Sequence, residues 1–461
     1  MPKRAPNLRF QTTQKAVTST PVGKRQRLKI ERLAHDGRGI GFLGKDTWFV
    51  DGALPDEDVE VRVLSARSRV VEARAERWFS ESPLRQPEPC RHAKTCGGCN
   101  LQALSPEEQL RFKQSVLADA LQRQAGITPQ AWAEPLSGPS EGYRRRVRVS
   151  VKHDDKTGKT TLGFRAVRSQ QIVPIDDCLV LMPSLRAIFR ELPTLLTTLQ
   201  RPQHIGHFEL FSGSSDVLLV RHTAPLSAED MHALRNFSQT YTCQLWLQGK
   251  GEPQPDQLGQ LVYSELPEWQ LQLPYQPGGF TQVNSYINAR MIRQALDWLA
   301  APVGAKVLDL FCGMGNFSLP LAKEGAQVLG IEGAQAMVTA AQAHAEQYPQ
   351  CVVRFQQADL FQPLENSTNM TFTHVLLDPP RDGAWQVCQQ MSALGAQRVV
   401  YVSCNPVTLA RDAAALLQQG FVLEKAGVMD MFPHTAHVEA MALFVRKSAG
   451  KPTKGCELTG N

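Results

Sequence analysis

The chain has no apolar run near the roughly 20 residues needed to cross a bilayer, so a membrane-spanning helix is excluded. Its basic start lacks the apolar core of a secretory leader, so export is not expected. Acidic residues are missing altogether from residues 1–30, which carry eight Lys or Arg. Cysteine is sparse: ten are scattered over 461 residues with no export signal. That pattern suits a reducing, cytoplasmic setting, where cysteines are metal ligands, nucleophiles or core filler rather than disulfides. What is present is ample apolar content, 42% of residues, enough for real cores in about three domains.

Charge is concentrated. Besides the acid-free start, residues 141–170 carry nine basic and three acidic residues. Two separated basic stretches point to a polyanion, most simply nucleic acid; the alternative is a solvated surface plus a tail. Residues 1–20 read as a basic arm without periodicity. Residues 21–80 hold short β-type runs such as Val59-Glu-Val-Arg-Val63, with turns at His35-Asp-Gly-Arg-Gly-Ile-Gly41 and Asp51-Gly-Ala-Leu-Pro55. They predict a small barrel on which Lys24, Arg25, Arg27 and Lys29 meet phosphates without reading sequence. Those turns resemble the TRAM domain, an OB-like RNA-binding module.

Residues 81–275 predict a mixed α+β domain. Cys90, Cys96 and Cys99 fall within ten residues, and 78 residues separate Cys99 from Cys178. Four thiolates suit tetrahedral zinc or a [4Fe–4S] cluster, and the spacing alone leaves both open. His92 is a competing ligand, better suited to zinc. A helix is expected from Ser105 to Gln124. Alternation over Arg144–Val151 puts Arg144, Arg146 and Arg148 on one strand face, as a phosphate-reading row. Residues 448–461 form a tail.

Residues 276–447 alternate strands with helices, which predicts a doubly wound parallel sheet with its ligands at the strand carboxyl ends. Lys306-Val-Leu-Asp-Leu-Phe-Cys312 leads into Gly313-Met-Gly315-Asn, whose glycines let backbone approach a ligand. Glu332 ends the next strand, 19 residues after Gly313, where an acid reaches ribose hydroxyls. The loop is closer to an S-adenosylmethionine site than to a dinucleotide one, since Ser318 stands where a third glycine is needed. Asp359 follows a third strand and would meet the adenine. Asp378-Pro-Pro-Arg381 follows a fourth, its prolines holding Asp378 stiffly toward the site.

The fifth strand, from Arg398, ends at Ser403 and Cys404. Asn405 is a good N-cap and Pro406 a good first residue for the helix that follows. Cys404 therefore sits beside the positive end of a helix, a setting that lowers a thiol's pKa; the alternative is a small core cysteine. A thiolate matters for methylating C5 of uracil, which is too weak a nucleophile unless a thiolate first adds to C6. A base must afterwards take the C5 proton. Glu439 is the candidate base, with apolar neighbours that raise its pKa; a surface carboxylate is the alternative.

Phe280-Thr-Gln-Val-Asn284, the Asp309-Leu-Phe-Cys-Gly-Met-Gly-Asn316 loop, Asp378-Pro-Pro-Arg381, Ser403-Cys-Asn-Pro406 and Asp430-Met-Phe-Pro-His-Thr-Ala-His-Val-Glu439 together resemble the RNA uracil-C5 methyltransferase family. The resemblance covers all but the arm and tail. It implies an α/β multidomain chain: a TRAM barrel, a central α+β domain and a class I methyltransferase sheet. It implies a [4Fe–4S] cluster on Cys90, Cys96, Cys99 and Cys178. It implies S-adenosylmethionine as methyl donor, with Gln282, Phe311, Asn316, Glu332, Asp359 and Asp378 lining its pocket. Cys404 and Glu439 are then nucleophile and base. The implied substrate is 23S ribosomal RNA, since relatives acting on transfer RNA typically lack both TRAM and cluster. The target uridine must leave its stack, helped by aromatic residues. A monomer is expected. The rival class is a non-catalytic RNA-binding assembly factor.

Overall fold

The computed structural model describes residues 21–364 and 371–447; the expected arm and tail lie outside them. The described chain forms two compact units. One runs to Pro89 and adds Asn100–Ser105; the other holds Cys90–Cys99 and the residues from Pro106 on.

The first unit is a six-stranded sheet in the order Arg25–Lys29, Asp58–Arg67, Val70–Ser80, Asp46–Asp51, Gly39–Leu43, Arg32–Leu33. Alternation decides its faces: Val59, Val61 and Val63 are buried with Trp48 and Val71, whereas Arg62 points to solvent. The sheet curls until Gly41 lies against Lys29, where a Cβ would stand 2.5 Å from the Lys29 carbonyl oxygen. Of the four cations expected to meet phosphates, Arg25 pairs with Glu76 and Arg27 with Asp58 (2.6 Å), both on the surface. Such exposed pairs are weak and leave the cations exchangeable.

The second unit contains two large sheets. A seven-stranded sheet runs Ile172–Pro174, Lys159–Arg165, Arg146–Asp154, Ile205–Ser212, Asp216–His222, Cys243–Gln248, Gln254–Pro255. Val147, Val149, Phe208, Leu210 and Val220 face one side, where they pack with Leu185, Phe189 and Leu192 of helix Pro183–Thr198. The opposite side carries Arg146 and Arg148. The expected phosphate row is altered there: both arginines donate to the buried carboxylate of Glu209, and Arg144 Nε donates to the Arg146 carbonyl. Charge alternation along one strand could not reveal a carboxylate on the strand beside it.

The other sheet has eight strands in the order Val353–Gln357, Gln327–Glu332, Lys306–Leu310, His374–Leu377, Arg398–Ser403, Glu439–Arg446, Phe421–Met429, Ala131–Trp132. The first five are mutually parallel; Glu439–Arg446 is antiparallel to both its neighbours. Two apolar cores cover its two faces, as a doubly wound sheet requires. The strand order reverses beside Lys306–Leu310, and a crevice is expected there. Helix Pro106–Ala125 and strand Ala131–Trp132 belong to this sheet rather than to the central one: Leu117 and Leu121 lie in its core.

Candidate active site

Strand register brings the predicted residues together. Ser403 pairs with Ala440 across antiparallel strands, so the next positions outward are Cys404 and Glu439. Leu377 pairs with Tyr401 and with Leu310, which sets Asp378 at the same sheet end beside Phe311. Asp378 N donates to the Leu310 carbonyl at 3.3 Å. Gln282, Phe311, Asn316, Glu332, Asp359, Asp378, Cys404 and Glu439 all line one cavity of about 1380 Å3.

The donor end is built on backbone. Gly313 and Gly315 have φ of 55° and 89°, and Phe311 itself is left-handed at φ 63°. A left-handed phenylalanine is an uncommon conformation of the kind that gathers at functional sites. Glu332 accepts from Gly313 N (3.2 Å) and Ala334 N (3.1 Å), closing the loop over the neighbouring strand end. Asn316 and Asn288 exchange two amide hydrogen bonds of 3.0 Å. Asp359 Oδ1 caps its own turn by accepting from Phe361 N, and Phe361 stands edge-on to Phe311.

The turn holding Asp378 is clamped by the helix after Cys404. Asn405 Nδ2 and Thr408 Oγ1 donate to the Arg381 carbonyl, and Arg411 Nη2 to that of Asp382. Asp412 accepts from Ala384 N and from the Tyr401 hydroxyl. Gly383, at φ 77°, fits because a Cβ would lie 2.5 Å from that carboxylate. Asn405 also caps the helix, accepting from Val407 N at 3.1 Å.

The thiol differs from expectation. Burial pushes Cys404 up to about 11, reinforced by the carboxylates of Glu439 and Asp378 and opposed only by Arg381 and a backbone bond. The helix start does not prevail: Asn405 already occupies the Val407 amide, while two acids face the sulfur. Burial likewise raises Glu439 to about 8, with Asp378 adding to the shift. Asp378 rises to about 7 through burial alone.

Several functional contacts escape sequence reading. Asp309 is fully buried and raised to about 7 by burial; Ser318 Oγ donates to its Oδ2, and its Oδ1 has no partner. Lys113 Nζ, also fully buried, pairs with Asp430 at 2.6 Å and donates to the Phe432 carbonyl. Gln109 accepts from His434 N at 2.7 Å. These two residues of helix Pro106–Ala125 fasten the loop that ends at Glu439.

Cys96, Cys99 and Cys178 also line this cavity. Burial, together with the neighbouring Cys178, Cys96 and Cys90, raises Cys99 to about 12, so the four thiols lie within electrostatic reach. Among the described residues, however, no group of three or more His, Cys, Asp or Glu is arranged to hold a metal ion. The four thiols therefore match a metal or cluster in donor chemistry but not in present arrangement. His92 is engaged elsewhere, its Nε2 2.7 Å from Asp176 Oδ1.

A family model described as tRNA (Uracil-5-)-methyltransferase matches residues 105–447, and the TRAM domain matches residues 20–75. A Pseudomonas putida protein named 23S rRNA (uracil(1939)-C(5))-methyltransferase RlmD is 57% identical over 427 residues, covering 92% of this chain and 94% of its own. One of the same name from Pseudomonas aeruginosa is 54% identical, with 96% and 99% covered. Among solved structures, the Pyrococcus abyssi tRNA (uracil-54, C5)-methyltransferase with S-adenosyl-L-homocysteine shares the fold at TM-score 0.70. It is 24% identical and covers 91% of this chain and 100% of its own. On these matches the chain belongs to the tRNA (uracil-5-)-methyltransferase family.

Proposed function

We propose that this chain methylates C5 of a uridine in 23S ribosomal RNA, the position numbered 1939 in its relatives' names. The observation that carries this is the pairing of Ser403 with Ala440, a register that brings Cys404 and Glu439 to neighbouring positions in the lining of one cavity. S-adenosylmethionine supplies an electrophilic methyl group on a sulfonium. Gln282, Phe311, Asn316, Glu332, Asp359 and Asp378 line its site. Cys404 gives its proton to solvent and adds to C6 of the uracil, giving a C5 enolate that takes the methyl group as the S–CH3 bond breaks and the neutral thioether S-adenosylhomocysteine leaves. Glu439, ionised, then takes the C5 proton, and Cys404 leaves as thiolate. One proton is released per turnover.

The Pseudomonas relatives support 23S RNA over transfer RNA, and the TRAM match supports an RNA substrate. Mapping 5-methyluridine in 23S RNA after incubation with the protein tests the reading; methylation of transfer RNA alone overturns the substrate. Cys404→Ala should lose at least about 10³-fold in rate, and full activity in that variant sinks the covalent route. Glu439→Gln should accumulate an RNA adduct that survives a denaturing gel, because addition and methyl transfer precede proton removal. A variant that binds RNA but never forms such a species removes Glu439 from the role of base.

Cys90, Cys96, Cys99 and Cys178 are proposed to hold a [4Fe–4S] cluster. Thiolate chemistry supports it, since four crowded thiols repel one another once ionised and a cationic centre relieves that repulsion. The reaction moves no net electrons, so the cluster's part is support of the fold and of RNA contact. Broad visible absorbance with iron and sulfide after anaerobic purification is expected; a colourless protein containing zinc overturns the assignment.

A further inference from the structure

Glu209 is 1% exposed, yet it serves four donors from two other segments of the chain. Its Oε1 accepts from Arg146 Nε (3.0 Å), the Tyr275 hydroxyl (3.2 Å) and Gly278 N (3.1 Å). Its Oε2 accepts from Arg148 Nε at 3.1 Å. Burial works against the charge, but the hydrogen bond from Arg146 and the two guanidinium charges more than offset it, and the carboxyl stays below its ordinary value. A buried carboxylate with two arginines, a phenol and a backbone amide is fully used, and such networks fix geometry.

The two sides it joins have different destinations. Arg148 keeps 43% of its side chain exposed and lines the cavity. His207 and Arg221 lie near it on adjacent strands, because Arg148, Arg221 and Arg165 together lower the His207 pKa after burial. That local excess of cations suits a phosphate backbone. On the other side, Tyr275 and Gly278 begin the loop that carries Gln282 to the donor end. Gly278, at φ 88°, has its amide on Glu209 and its carbonyl on Arg146 Nη2. Four residues on, Arg145 Nε donates to the Gln282 carbonyl at 2.8 Å.

We propose that Glu209 is a positioning residue that holds the RNA-gripping arginines and the donor-side loop in one register. This rests on the reading of the chain as an RNA methyltransferase. The full-length protein is titrated with S-adenosylhomocysteine by calorimetry and with a 23S RNA fragment at several salt concentrations. Tyr275→Phe removes one of the two loop contacts, leaving that of Gly278 N, and should weaken S-adenosylhomocysteine several-fold while leaving RNA affinity within about twofold. Arg148→Ala removes one of the two arginine contacts, leaving that of Arg146. It should weaken RNA by about tenfold, lower the salt slope by about 0.7, and spare S-adenosylhomocysteine. Glu209→Gln should weaken both ligands by about tenfold each, the scale of one lost hydrogen bond to a charged group.

A folded Glu209→Gln protein that loses only one affinity, or neither, overturns the proposal. If that variant does not fold, the other two decide. Separate losses support the proposal, and unchanged affinities, or the same loss of both ligands in each, overturn it. Wild-type methylation of 23S RNA is measured alongside. Its absence defeats the reading of function without altering the affinity split, so the two failures are distinguishable.

Discussion

Around Cys404 burial favours the protonated form of every acidic group, with the thiol near 11, Glu439 near 8 and Asp378 near 7. A thiol of that pKa is ionised to about one part in 10³ at pH 8, so the free protein keeps its nucleophile in reserve. Glu439 comes first among the charges that raise Cys404, ahead of Asp378. Replacing Glu439 by Gln removes that charge and should make the thiol easier to ionise. Alkylation of Cys404 by iodoacetamide, followed by mass spectrometry against pH, should then reach half-maximal rate at lower pH in Glu439→Gln than in wild type. Asp378→Asn should move it less. Identical profiles in wild type and Glu439→Gln would show that the carboxyl does not face the sulfur. The sign is instructive, because a helix N-terminus alone predicts a thiol more acidic than usual.

At the level of elements, helix Pro106–Ala125 holds the loop from Asp430 to Glu439 through Lys113 and Gln109. Removing one member of a buried ion pair leaves the other unpaired, at roughly 3–5 kcal/mol. Lys113→Met should therefore lower unfolding free energy by about that amount, and adding Asp430→Leu should recover much of it. Turnover should stay low in the double variant, because the Phe432 carbonyl also loses its donor. Denaturant melts and single-turnover rates on both variants check this; additive losses of stability would contradict a paired lysine. The anchor also marks where sequence stops being informative. The βαβ pattern and the residues after each strand were legible because both are local: strand periodicity fixes the ends, and ligands gather there. Lys113 and Asp430 are 317 residues apart, and nothing along the chain pairs them. The arginine row from Arg144 to Arg148 was legible as a strand face but not in its partner, since Glu209 arrives on a different strand. The raised pKa of Cys404 was not legible, since it comes first from burial and then from two acids brought in from other strand ends.

Across the whole molecule, carboxyls are held above their ordinary range at the ends of one sheet: Asp309 and Asp378 near 7 and Glu439 near 8. A carboxyl whose pKa is higher folded than unfolded binds more protons in the folded state. Its contribution to stability is complete below about pH 4 and is lost as pH rises through the folded value. Histidines 207, 344, 374, 434 and 437, lowered chiefly by burial, act in the opposite direction near pH 6. The total slope is their sum, so one carboxyl must be isolated to be read. Asp309 serves best, being wholly buried with one oxygen unpartnered. Asp309→Asn removes a titration but keeps an acceptor for Ser318. The stability of the variant relative to wild type should therefore rise by about 2–3 kcal/mol between pH 5 and pH 8, whatever its sign at pH 5. Urea melts of the ligand-free protein across that range measure it. A difference that stays flat would mean that Asp309 is ionised throughout, as a cation or water beside its open oxygen would make it.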